Sequence, residues 1–466
     1  MDVASREKSR PFGTRDKLGY LFGDFGNDFT FLLSSSFLLK FYTDVMGVPA
    51  AMVGVVMMIA RFVDAFTDVA MGRKCDRSKI RPAGKFKPWI MRMSGPVAIA
   101  SFLIYQSGFA GASTGFKVGW LFVTYILWGS VFYTAINIPY GSMASAISAE
   151  PTDRQSLSTF RSIGGTLAGL IVGAGVPMFA YRVNETGQTV LDGGRFTMIA
   201  GIFSVLAIVC YLLCYYLVTE RVVIDSVNHS GESNNVFRML KNAIHNRALI
   251  SIIAASVFML LAQLTLQSMA NYVYPNYYGS PGAQSVSTFI MVGTALISAA
   301  VAKPVASRIG KAELSIVANL FAAGVCLLLF ILRPANVWAY VAFISLCWLG
   351  LGMFSMVSWA LITDVIDYSE IKNGIREDGS VYAMYSFARK LGQAAAAGVS
   401  GSLLTLIGYN EATAFTPSVT NGIYNISTLV PALGFLVLAL ILWFWYPLHK
   451  KQVEQNVAFL KKKHGK

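Results

Sequence analysis

Arg61, Asp64 and Asp68 stand inside an otherwise apolar segment, AMVGVVMMIARFVDAFTDVAMG, at residues 51–72. A helix turns once every ~3.6 residues, so positions i, i+3 and i+7 line one face. Ionised side chains at membrane depth are costly unless they pair or line a hydrated cavity, and by default they mark a functional site. Two acids beside one base leave a negative charge over, and the chemistry this fits is reversible binding of a cation. A structural ion pair between helices is the plainer reading of the same residues. A second acidic pair, Asp24 and Asp28, lies one turn apart on a shared face, in a stretch that also holds Asn27 and Lys40. Further on, YTAINIPYGS places Tyr133 and Asn137 one turn apart, and Pro139 removes a backbone donor, which predicts a kink there. Near the C-terminal end, YSFARKLGQAAAAGVSG puts Arg389 and Lys390 within an apolar helix. A buried lysine needs a carboxylate, and Asp64 or Asp68 is the natural candidate.

The elements that must carry these residues are membrane helices. At 55% hydrophobic and 13% charged residues over 466 positions, the chain is too apolar for a soluble protein. Dividing the apolar runs into spans of ~20 residues predicts an all-α polytopic membrane protein of twelve helices without a large soluble domain. The formal charge of +14 belongs to loops and ends rather than to a nucleic-acid site. Arg6, Lys8, Arg10, Arg15 and Lys17 precede the first span, and GRKCDRSKIRPAGKFKPW follows the second. Basic loops stay cytoplasmic, which puts both termini inside; the expected location is a bacterial plasma (inner) membrane. The five cysteines have neither metal-ligand nor disulfide-framework spacing, and the first seventeen residues do not read as a removable signal.

In order, residues 1–17 read as a cytoplasmic tail, 18–218 as a six-helix bundle, 219–246 as a cytoplasmic linker, 247–446 as a second six-helix bundle and 447–466 as a basic tail. SAEPTDRQSLS reads as a loop before a fifth span that opens with Arg161 and is rich in small residues, which let membrane helices approach closely. VFRMLKNAI in the linker reads as a short amphipathic surface helix, with His229 and His245 solvated beside it. SRIGKAE in the second half takes the place of the long basic loop in the first, which points to a duplicated unit. Asp364, Asp367 and Glu370, with Arg376 nearby, read as a paired charge cluster at a helix end.

FGNDF, FYTDVMG, RFVDAFTD, GKFKPW, NIPYGS, VIDYSE and SFARKLGQA occur in this order along nearly the whole chain. On these motifs the sequence resembles the glycoside/pentoside/hexuronide cation symporters, the family of the melibiose carrier. The resemblance implies a major-facilitator fold: two pseudo-symmetric six-helix bundles and a central site open alternately to each side. It also implies that Asp28 and Arg161 bind sugar hydroxyls, that Asp64 and Asp68 hold the coupling cation with Thr134 as a neutral ligand, and that Lys390 is their charge partner. Three positions depart from the melibiose carrier's pattern: Thr67 for an asparagine, Asn137 for an aspartate and Gly141 for a tryptophan. NIPYGS and SFARKLGQA look more like the glucuronide and xyloside carriers. Losing one acid leaves sodium and proton both open, since a hard cation is held by oxygen ligands and their summed charge.

A sugar offers vicinal hydroxyls, which carboxylates accept from and arginine donates to, while aromatic faces cover the ring. Asp28, Arg161, Tyr133, Asn137, Tyr140, Trp359, Arg389 and Lys390 supply those groups, and Asp64, Asp68, Thr67 and Thr134 form the cation set. If the ion is sodium, Asp64 and Asp68 are its carboxylate ligands. The expected function is cation-coupled symport of a sugar, with a neutral glycoside or pentoside preferred. A proton-coupled carrier of a hexuronide or other acidic sugar is the alternative, and a lipid or drug carrier the next. The expected partners are the sugar, the coupling ion and the lipid bilayer, with no nucleic acid, no other cofactor and a monomer as the working unit. HExxH, GxSxG and paired Cys/His spacings are absent, which argues against an enzyme.

Overall fold

The computed structural model describes residues 10–78, 81–222, 246–373 and 378–463. The chain divides into two compact units, residues 1–229 with 408–414, and residues 230–407 with 415–466.

The first unit holds α1 (Thr14–Asp44), α2 (Ala50–Asp76), α3 (Lys87–Ile104), α4 (Thr114–Ile147), α5 (Pro151–Phe179) and α6 (Gly193–Leu217). The second holds α7 (Arg247–Tyr277), α8 (Pro281–Ile309), α9 (Lys311–Leu332), α10 (Val337–Asn373), α11 (Asp378–Leu406), α12 (Pro417–Trp445) and a short polar α13 (Lys450–Lys463). Among the described residues, nine helices are long and apolar enough to cross a membrane. Of the other three long helices, α1 and α11 carry interior charges, and α3 is only 18 residues long, with Lys87 and Arg92. The protein is therefore an all-α, multi-pass membrane protein with six long helices in each unit. A two-stranded hairpin between α5 and α6, Tyr181–Val183 with Thr189–Leu191, is the small exception.

Local chemistry sets the ends. Ser113, Asp192 and Asn246 accept hydrogen bonds from the first turns of α4, α6 and α7, satisfying amide groups that the helix leaves unpaired. Prolines open α3, α5, α8 and α12, where the missing N–H costs nothing. Gly310, at φ 108°, is the single residue between α8 and α9, a backbone conformation that a side chain resists.

Two expectations need correction. Most of SAEPTDRQSLS is helix rather than loop: Pro151 starts α5, Asp153 favours its positive end, and Ser148 Oγ donates to Asp153 at 2.6 Å. Arg161 consequently lies in the third turn of α5 and does not open it. The departure from regular helix in α4 is a π-helical stretch at Leu127–Tyr133, ahead of Pro139, which sits within ordinary α-helix. The surface helix expected in the linker, both linker histidines and Arg376 fall outside the described residues.

Buried ion pairs fix the ends of the first unit. Asp16, fully buried, bonds Arg10 and Arg221, each at 2.9 Å. Lys40, 1% exposed, pairs with Asp44 at 2.7 Å and donates to the Tyr409 hydroxyl at 2.9 Å. Glu220 accepts from the backbone N–H groups of Lys85, Phe86 and Lys87 at 2.7–3.0 Å, capping α3 from the far end of α6. Gly84 leaves the room: a Cβ there would lie 2.5 Å from the Glu220 carboxyl carbon.

Candidate functional site

The acidic pair on α1 faces α5. Glycines permit the approach: a Cβ at Gly164 would fall 2.5 Å from the Leu21 carbonyl, and one at Gly165 would fall 2.7 Å from Asp28 Oδ2 and 3.1 Å from Asp24 Oδ2. Arg161 Nε donates to Asp24 Oδ1 at 2.8 Å, and its guanidinium carbon lies 5.3 Å from the centre of the Tyr140 ring. Tyr140 in turn stacks on Tyr20 at 4.6 Å and donates its hydroxyl to the Tyr20 carbonyl at 2.6 Å. Only 1% exposed, Tyr140 lies behind the arginine as its support. The Arg161 side chain stays 41% exposed, so its terminal N–H groups remain available to a ligand. Asp28 is half-buried and makes no hydrogen bond or ion pair among the described residues. Beside it, Tyr211 donates to Asn27 at 2.9 Å, and Asn27 donates to Asn137 at 3.4 Å, an uncharged chain across three helices.

The second acidic pair, on α2, is met by α4. Asp64 accepts from Ser130 Oγ at 2.5 Å and pairs with Arg61 at 3.3 Å. Asp68 accepts from Thr134 Oγ1 at 2.7 Å. Ser130 lies within the π-helical stretch and Thr134 directly follows it, so both reach α2 from one face of α4. A hydroxyl that gives its hydrogen to a carboxylate turns its lone pairs elsewhere, so Ser130, Thr134 and the two carboxylates form an all-oxygen donor set. That is the chemistry a hard monovalent cation requires, and the same carboxylates can take a proton. Among the described residues no group of three or more acidic, His or Cys side chains gathers to hold a metal. Thr67 instead turns its hydroxyl back to the Asp64 carbonyl at 3.3 Å.

Aromatic rings link the second pair to α1. Arg61 lies over Phe31 at 5.2 Å, Phe31 stacks on Tyr133 at 5.8 Å, and Tyr133 packs against Trp128 at 5.4 Å.

In the second unit Arg389 lies over the rings of Trp359 and Tyr385 at 5.9 and 6.0 Å, and those rings meet edge to face at 5.1 Å. Trp359 is 43% exposed and Lys390 half-buried. Asp364 pairs with Lys311 at 2.5 Å.

Sequence reasoning missed Asp24 as the partner of Arg161 and Ser130 as the partner of Asp64. The first had a signal, an acid one turn from Asp28. The second had only a serine four residues before Thr134.

The chain matches the family model described as MFS/sugar transport protein over residues 19–450. It is 30% identical to a glucuronide carrier protein homolog of Escherichia coli (strain K12), over 95% of this chain and 94% of the relative. It is 31% identical to an isoprimeverose transporter of Lactiplantibacillus pentosus, over 97% and 92%. The crystal structure of a D-xylose-proton symporter superposes with a TM-score of 0.63 at 16% identity, covering 93% of this chain and 97% of that one, a likeness of fold. These matches make the protein a transporter and not an enzyme. With its helical architecture, they establish that the chain belongs to the MFS/sugar transport protein family, among the major-facilitator glycoside/pentoside/hexuronide symporters.

Proposed function

We propose that the protein couples the movement of a cation, sodium or proton, to symport of a sugar or glycoside by alternating access, with neutral glycosides and pentosides preferred. The observation that carries the proposal is the presence of two separate acidic pairs in one unit, the second linked to α1 through Arg61 and Phe31. Asp28 accepts sugar hydroxyls, the free N–H groups of Arg161 donate to them, and Asn137 and Tyr133 complete the contacts. Within the second unit, Trp359, Arg389 and Lys390 offer the same kinds of contact. Asp64, Asp68 and Thr134, with Ser130 added, take the cation. Lodging a cation there offsets excess negative charge in a low-dielectric surround, which strengthens the sugar site through Arg61 and Tyr133 and lets the units rock. The name of the isoprimeverose transporter supports a sugar as the substrate. Orientation follows the basic loops, with both termini cytoplasmic in a bacterial inner membrane and the monomer as the working unit.

An acidic sugar is the second reading. It is favoured by Arg389, whose guanidinium meets ring faces and no carboxylate among the described residues, and by the name of the glucuronide carrier homolog.

Uptake by proteoliposomes tests the proposal. Under an inward sodium or proton gradient a xyloside is expected to accumulate above its external concentration, and collapsing the gradient is expected to abolish accumulation. Equilibration without accumulation under either gradient would refute coupling.

A further inference from the structure

Of the two carboxylates on α1, one is neutralised and the other is not. Asp24 is engaged by Arg161 at 2.8 Å, while Asp28 has no hydrogen bond or ion pair among the described residues. Arg61, on α2, is paired with Asp64. Asn27, Asn137 and Tyr211 bond one another and bring no charge. Two acids and one base therefore leave a negative charge over, lodged on Asp28.

We propose that Asp28 is a charge filter, a specificity-determining residue that admits neutral glycosides and excludes solutes whose ring bears a carboxylate or sulfonate. The proposal rests on the sugar-symport reading above. A hydroxyl donates to the bare carboxylate, whereas an anionic substituent has no proton to give and meets a like charge. A like charge about 6 Å away, at an effective dielectric near 20, weakens binding on the order of 100-fold. Selection of this kind works by a repulsive element and needs no extra contact to the accepted solute. Asp24 has a different task. By engaging Nε it leaves the outer edge of the Arg161 guanidinium for the ligand, which makes it a positioning residue.

The test uses the full-length purified carrier at pH 8 and fixed sodium, titrated by calorimetry with phenyl β-glucoside and phenyl β-glucuronide, which differ only at C6. The wild type is expected to favour the glucoside at least tenfold. Asp28→Asn, which keeps an oxygen acceptor, is expected to narrow or reverse that preference by a further tenfold or more, and Asp28→Ser serves if the asparagine variant does not fold. Asp28→Glu, which keeps the charge, is expected to retain the glucoside preference. An unaltered preference in the neutral variants, a wild type that favours the glucuronide, or loss of both sugars in every neutral variant overturns the filter alone. Failure of the wild type to bind either sugar overturns the sugar reading and the filter with it.

Discussion

Asp24 with Asp28 and Asp64 with Asp68 are the same pattern in sequence, two acids one turn apart, yet the fold treats them differently. In the first pair the arginine arrives from α5, 137 residues away, and engages only the first acid. Its second acid is left bare. In the second pair the arginine comes from the same helix, and α4 supplies a hydroxyl to each acid. A bare carboxylate is an acceptor for a solute's hydroxyls, whereas carboxylates already hydrogen-bonded by serine and threonine offer a cation an oxygen-rich surround. Identical spacing therefore specifies different chemistry once neighbouring helices have chosen what to pair.

Breaking each pair separately tests that difference. The largest effect is expected from Asp28→Ala, which removes charge-assisted hydrogen bonds of roughly 1.5–3 kcal/mol each and should weaken sugar binding about 100-fold or more. Near-normal affinity in a calorimetric titration would take Asp28 out of the site. Asp68→Asn should leave sugar binding measurable and abolish its stimulation by cation; retained stimulation in the uptake assay would take Asp68 out of the cation set. Asp24→Asn should lower sugar affinity about tenfold by releasing Arg161, with cation dependence unchanged, and a loss of cation response would merge the two pairs into one site. Ser130→Ala removes one hydrogen bond of ~1 kcal/mol, so cation affinity should fall about fivefold while sugar affinity at saturating cation stays put.

Glu220 sharpens the contrast, because it is a carboxylate with a structural job. Burial pushes its carboxyl above the ordinary 4.5, opposed by the three backbone N–H donors. A carboxylate whose folded value exceeds its unfolded one holds its proton longer in the native state, so its contribution to stability falls as pH rises through the window above 4.5. Glu220→Gln should flatten that fall in thermal unfolding measured as pH is raised from 4.5 and leave the response to sugar and cation intact. A changed ligand response would mean that the α3 cap communicates with the acidic pairs.

The apolar runs made the long helices legible, and the acids inside them marked where the chemistry lies, because lipid tolerates charge only for a reason. What stayed hidden was pairing at a distance. Periodicity places Asp24 and Asp28 on one face and cannot tell which of them Arg161 will take; the close approach at Gly164 and Gly165 decides that. Nor does LWGSVFY announce a π-helical stretch, since its residues suit an α-helix equally well. The polar run Ser148–Ser158 misled for a related reason: helix α5 extends beyond its apolar part, and Pro151 and Asp153 were its start signals.

The central claim is that one acidic pair binds sugar, the other binds a cation, and the second governs the first. The most direct measurement is the rise in apparent melting temperature that a neutral xyloside produces in the wild-type carrier, taken with sodium or choline at two pH values. Ligand bound only to the native state raises stability by RT ln(1 + [L]/Kd), so even a weak sugar registers at high concentration. The account predicts a shift that grows with sodium, or with protons where sodium is without effect. A shift indifferent to both would contradict it.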